Sequence, residues 1–246
     1  MQNRFLYFPS AEWPTANMLA AANMKLWQAT PVDYRGLIAV QETPAPGGTI
    51  VLFHGNGSTA LERGFYLQPL TELGLRVILA EYPQYGGRPG KLGEKSFVAD
   101  GLETVRLAYQ HYGGPLYLLG ESLGCGVAAA VAKKTSTPLA GLILITPWDT
   151  LAAIAKAHFP FLPVHLLMTD KYDSIGNLQL FPGKIAVIGA QLDEVLPIKH
   201  AHNLYSALPA GRKRLWVIEG AGHNDWPMYA NASLWQEIIG FVQAGS

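Results

Sequence analysis

The chain has 246 residues, of which 49% are hydrophobic and 15% charged, with 18 Lys and Arg balancing 18 Asp and Glu. That length fits one large domain with a substantial core, and balanced charge without like-charge blocks excludes the basic footprint of a nucleic-acid-binding protein. A single cysteine, Cys125, excludes an internal disulfide framework and a cysteine-based zinc site. Charge is scarce beside the roughly 25% of an average soluble domain. That scarcity suits a mostly parallel sheet covered on both faces.

In chain order, Met1-Gln2-Asn3-Arg4 leads straight into strand-like Phe5-Leu6-Tyr7-Phe8 with no visible signal peptide. The expected compartment is therefore cytoplasmic, with a trimmed leader or anchor as the alternative. Residues 25–29 and 34–41 flank a short turn around Pro31-Val32-Asp33 and predict an antiparallel hairpin at one sheet edge. A turn at 43–48 is too short to separate domains. The longest uncharged stretch, 43–61, is broken by prolines and glycines and is no membrane span. Apolar runs at 49–54, 75–82, 115–119, 142–146, 184–189 and 215–219 read as strands. Helical patterns at about 59–73, 94–111, 123–134, 198–207 and 228–243 lie between and after them. This alternation predicts an α/β fold with right-handed crossovers, in a single domain spanning 1–246. Residues 150–183, broken by Pro160, Pro163 and Pro182, read either as an extended crossover or as a small cap. As a cap, the segment would shape an acyl pocket with His158, Phe159, Phe161 and Leu166.

Gly120-Glu121-Ser122-Leu123-Gly124 sits between the apolar run ending at Leu119 and the small-residue helical run from Cys125 to Ala132. In strand–turn–helix context this pattern holds a serine hydroxyl on a strained turn at the carboxyl end of a strand. A serine needs a base, and the base needs a carboxylate to hold its tautomer, here in the chain order Ser, Asp or Glu, His. Asp193 follows the strand at 184–189, and His223 follows the strand at 215–219 within Gly220-Ala221-Gly222-His223-Asn224-Asp225. Asp149, after the preceding strand, is the rival acid. Glu194 adjoins Asp193 but points elsewhere, and Asp225 is too near His223 in sequence. Backbone N–H groups of Leu123 and Asn56 are the expected oxyanion donors, the second from the loop His54-Gly55-Asn56-Gly57-Ser58. His54 reads as a structural histidine bracing that loop. The remaining histidines, at 111, 158, 165, 200 and 202, show no metal spacing. Cys125 reads as a small packed residue.

These blocks, with Glu81-Tyr82-Pro83-Gln84-Tyr85-Gly86-Gly87 and Gly222-His223-Asn224-Asp225, resemble the α/β-hydrolase superfamily over nearly all of 35–243. Thr146-Pro147-Trp148 and Lys171-Tyr172-Asp173-Ser174 are similar to its lid-poor branch of bud-emergence-type and alpha/beta-hydrolase domain-containing proteins. The resemblance implies an eight-stranded, mostly parallel sheet with the second strand antiparallel, and acyl transfer to water without a cofactor. Gln84 and Arg88 depart from the family pattern on a loop that borders the site in relatives, so the substrate entrance is expected to differ there. The combined expectation is a serine hydrolase with Ser122, His223 and Asp193 as its triad, a carboxylesterase or thioesterase acting on a small-molecule acyl substrate. The alternatives are an aminopeptidase-like peptidase or non-hydrolytic enzyme of the same fold, and a non-catalytic scaffold.

Overall fold

The computed structural model describes residues 6–42, 44–158 and 168–244, without the side chains of 157 and 158. A short helix, α1 (Ala16–Ala21), precedes a hairpin of β1 (Met24–Trp27) and β2 (Gly36–Ala39). Then come β3 (Thr49–Phe53), a 3-10 turn (Leu61–Tyr66) running into α2 (Leu67–Glu72), β4 (Arg76–Ala80), α3 (Glu94–Tyr112), β5 (Leu116–Glu121) and α4 (Leu123–Lys134). The second half holds β6 (Gly141–Ile145), α5 (Leu151–His158), α6 (Ser174–Leu178), β7 (Lys184–Ala190), α7 (Lys199–Ala207) and β8 (Lys213–Ile218). A 3-10 turn (Trp226–Met228) and α8 (Ala232–Gln243) complete it. The strands form one sheet in the order β1-β2-β4-β3-β5-β6-β7-β8. β2 runs antiparallel to both neighbours and the other pairings are parallel. This is the sheet that the resemblance implies.

The apolar runs are continuous because helices cover both faces. Side chains alternate along a strand, so Val51, Phe53, Leu118 and Leu144 pack on one face with Val127 and Val131 of α4. Ile50, Leu52, Leu119 and Ile143 pack on the other with Leu70 of α2 and Trp235 and Ile238 of α8. Each such side chain, fully buried, contributes about 1.5–3 kcal/mol relative to exposure. Parallel register then sets the site. Phe53 lies opposite Gly120, Glu121 opposite Ile145, Ile145 opposite Ile188 and Ala190 opposite Ile218. The loops after β3, β5, β6, β7 and β8 therefore leave one sheet edge side by side.

Several expectations shift. The described part of the expected amino-terminal strand, residues 6–8, joins no sheet strand. Helix α1, capped by the Thr15 hydroxyl on the Met18 N–H, has no counterpart among the expected elements. The expected helix at 228–243 starts later, because the Asn231 side chain caps α8 by accepting from the Leu234 N–H. The pattern at 59–73 divides into its 3-10 and α-helical parts. In 150–183, α5 and α6 stand on either side of residues outside the description. Phe159, Phe161, Leu166 and the His158 side chain, named for an acyl pocket, lie outside the described residues. Among the described residues no helix is long and apolar enough to cross a membrane.

Candidate active site

β5 runs into Ser122, whose backbone has φ 52° and ψ −114°. A positive φ at a residue with a Cβ is strained, and the turn is held by the Ser122 N–H donating to the Ile145 carbonyl at 2.9 Å. The flanking glycines are a steric requirement. A Cβ on Gly124 would lie 1.9 Å from the Phe53 carbonyl oxygen, and one on Gly120 would lie 2.5 Å from the Gly124 oxygen. Ser122 occupies the N-cap position of α4, yet its hydroxyl caps nothing in the helix. It is left to meet a partner from another loop.

That partner is His223. Its Nε2 lies 3.0 Å from Ser122 Oγ, and its Nδ1 lies 2.7 Å from Asp193 Oδ2. The second Asp193 oxygen accepts the N–H groups of Val195 at 3.0 Å and Leu196 at 2.6 Å, so the turn after β7 fixes the carboxylate. The Asp193 side chain is 1% exposed and that of His223 9%. A carboxylate accepts only, so Nδ1 carries a proton toward Asp193 and a neutral ring leaves Nε2 able to accept the serine proton. The structure thus gathers Ser122, Asp193 and His223, which stand 30 and 101 residues apart in sequence.

The segments that carry the two expected oxyanion donors meet at Ser122. Leu123 is the first residue of α4, where a helix N–H has no intrahelical acceptor. Gly55, next to Asn56, passes so close that a Cβ there would lie 3.5 Å from Ser122 Cβ. The loop is braced from beneath. His54 is fully buried, with Nδ1 2.8 Å from the Gly55 carbonyl and Nε2 2.7 Å from Glu81 Oε1. The Tyr82 hydroxyl donates to the His54 carbonyl at 2.8 Å. His54 therefore braces the loop, as its sequence context suggests.

The rivals go elsewhere. Asp149 accepts from His200 Nδ1 at 3.0 Å, the Asn203 amide at 3.0 Å and the Thr150 N–H at 2.6 Å. Asp225 accepts from the Gly222 N–H and shapes the turn. Glu194 meets the His223 backbone N–H at 3.4 Å rather than its ring. Arg88, one of the two departures from the family pattern, turns inward. It is buried, paired with Asp33 and Asp100 at 2.8 Å each. The Cys125 thiol donates to the carbonyls of Gly120 and Ile145, and burial pushes its pKa well up.

One group has no signal in the spacing. Glu121, between Gly120 and Ser122, accepts two hydrogen bonds from Arg63 at 2.9 Å each and a third from the Tyr66 hydroxyl at 2.9 Å. It joins the Ser122 turn to the 3-10 turn after β3. An arginine 58 residues before its glutamate carries no periodic mark. Among the described residues no three His, Cys, Asp or Glu side chains cluster as metal ligands.

Residues 44–169, just over half of the chain, match the Hydrolase_4 family, described as serine aminopeptidase, S33. An uncharacterized protein of Mycobacterium tuberculosis, Rv2307c, is 31% identical over 91% of this chain and 81% of its own. The human alpha/beta hydrolase domain-containing protein 17C is 28% identical over 89% of this chain and 66% of its own. Among solved structures, the Pyrococcus furiosus esterase Pf2001 superposes with a TM-score of 0.70 at 16% identity, covering 96% of this chain and 99% of that one. A Paleococcus ferrophilus monoacylglycerol lipase gives 0.62 at 18% identity, over 83% and 96%.

Proposed function

The chain belongs to the Hydrolase_4 family of the α/β-hydrolase superfamily, and from that premise we propose that it is a cofactor-independent serine hydrolase that cleaves acyl esters or thioesters. The observation that carries this reading is the continuous path from Ser122 Oγ through the His223 ring to Asp193, at 3.0 and 2.7 Å. His223 Nε2 takes the Ser122 proton as Oγ attacks the acyl carbonyl. The tetrahedral oxyanion forms against the N–H groups of Leu123 and Asn56, each such donor being worth about 2.7–4 kcal/mol to the transition state. Asp193 stabilises the imidazolium, which returns the proton to the leaving alcohol or thiol as the acyl-enzyme forms. Water, activated by the same ring, then releases the acid.

The family description favours a second reading, an aminopeptidase that would run the same steps on an amide. A panel of p-nitrophenyl esters, acyl thioesters and aminoacyl p-nitroanilides, with wild type and Ser122→Ala side by side, separates the readings. Ser122-dependent turnover of esters or thioesters well above that of the anilides is expected. Preference for the anilides would favour the peptidase, and no Ser122-dependent turnover would favour a non-catalytic protein.

A further inference from the structure

The Asn56 side chain makes four hydrogen bonds, more than any other side chain of its loop among the described residues. Oδ1 accepts from the Tyr85 hydroxyl at 2.6 Å, the Phe8 N–H at 3.0 Å and its neighbour Gly57 N–H at 3.0 Å. Nδ2 donates to the Leu6 carbonyl at 2.7 Å. Two of these bonds are to backbone some fifty residues earlier, in a segment that pairs with no strand. The loop needs such a hold. Asn56 lies between two glycines, and Gly57 sits at φ 68°, so local sequence restrains the peptide plane weakly.

The other side of that early segment is anchored as well. Tyr7 is 2% exposed, although its neighbour Phe8 is 60% exposed. The Tyr7 hydroxyl donates to Asp170 Oδ2 at 2.7 Å and lies 3.2 Å from the Tyr172 hydroxyl, while its ring meets Phe97 edge-on at 5.1 Å. Asp170 Oδ1 in turn accepts from the Glu94 N–H at 3.1 Å, and Glu94 Oε2 accepts from the N–H groups of Lys171 and Tyr172. A buried phenol is costly without a partner, so a Tyr7 held this way fixes the backbone on both sides of it. Tyr85, fully buried against His54 and Tyr82, supplies the rigid wall on the opposite side of Asn56.

We propose that Leu6-Tyr7-Phe8 is a positioning strap, hooked at Tyr7 and clamped on the Asn56 side chain, that presets the Asn56 N–H for the developing oxyanion. Asn56 (through its side chain), Tyr85 and Tyr7 are then positioning residues, and the inference rests on the assignment of the Asn56 N–H under the proposed function. The strap acts on the transition state, where a misplacement of about 1 Å costs roughly 10²-fold. Loosening it lowers kcat and leaves KM in place.

The test uses the full chain with a p-nitrophenyl ester, together with hydrogen exchange of the peptide spanning 54–58. Asn56→Ala keeps the backbone donor and is expected to lower kcat by about 10–100-fold with KM within about twofold. Tyr85→Phe and Tyr7→Phe should each lower kcat by about 3–10-fold, as expected for loss of one hydrogen bond. Because Tyr7 acts through Asn56, the Tyr7→Phe change should add nothing in the Asn56→Ala background. Exchange in 54–58 should quicken in all three variants while the β5 peptide stays protected. If Asn56→Ala fails to fold, the two tyrosine variants carry the test. Unchanged kcat in them, independent additive losses, or faster exchange across the whole chain would overturn the strap. Should the wild type show no Ser122-dependent turnover, the proposed function fails. The exchange arm then decides the restraint alone: a loop no looser in Tyr7→Phe would overturn it.

Discussion

Two histidine–carboxylate pairs stand at neighbouring strand ends, and they are built alike. Asp149 follows β6 and pairs with His200 at 3.0 Å, while Asp193 follows β7 and pairs with His223 at 2.7 Å. Both carboxylates are buried, and both take backbone N–H groups from the turn that bears them. They part at the third member. His223 comes from a glycine-bearing loop after β8 and points Nε2 at a serine hydroxyl held in strained backbone. His200 sits in the first turn of α7, and its carboxylate also takes the Asn203 amide of that helix. One pair ends at a serine hydroxyl and the other ties a loop to a helix. A His–Asp contact is thus weak evidence of chemistry until the atom beyond it is named.

That contrast breaks most sharply at the nucleophile end. Ser122→Ala or His223→Ala is expected to lower turnover by about 10⁴–10⁶ in a steady-state ester assay, whereas His200→Ala should leave it within about threefold. Next comes the carboxylate swap. Asp193→Asn should cost about 10⁴ in kcat, because an amide can present its N–H to Nδ1 and hold the wrong tautomer. Asp149→Asn should spare turnover and instead lower the thermal midpoint, since loss of hydrogen bonds to a buried charge costs about 1–3 kcal/mol. The reverse result in the two asparagine variants would transfer the acid role to Asp149. The smallest effect belongs to the other nucleophilic atom near the turn. With burial raising its thiol pKa, Cys125 should resist iodoacetamide in the native protein and react after denaturation, as read by intact mass.

Which features were legible follows from how each is encoded. β3, β5 and β6 stand out because each is buried along its length and carries an apolar run of four residues. Gly120 and Gly124 are legible because the space around them forbids a Cβ, a constraint that writes itself as residue identity. β8 is less so: it starts at Lys213, two residues before its apolar run, because as an edge strand it leaves alternate residues in solvent. Arg88 lies buried between Asp33 and Asp100, a pairing with no mark in the sequence, since a charge there does not name its partners. The amino-terminal residues read as a strand, yet their backbone bonds go to the Asn56 side chain. Contacts between segments 50 residues apart leave no local period to detect.

The central claim is that Ser122 Oγ is the atom that becomes acylated. Treating the native protein with a fluorophosphonate and mapping the adduct by peptide mass spectrometry tests it directly. One adduct per chain is expected, on the peptide carrying Ser122, absent from Ser122→Ala and strongly slowed in His223→Ala. An unmodified wild-type protein, or an adduct that persists in Ser122→Ala, would contradict it.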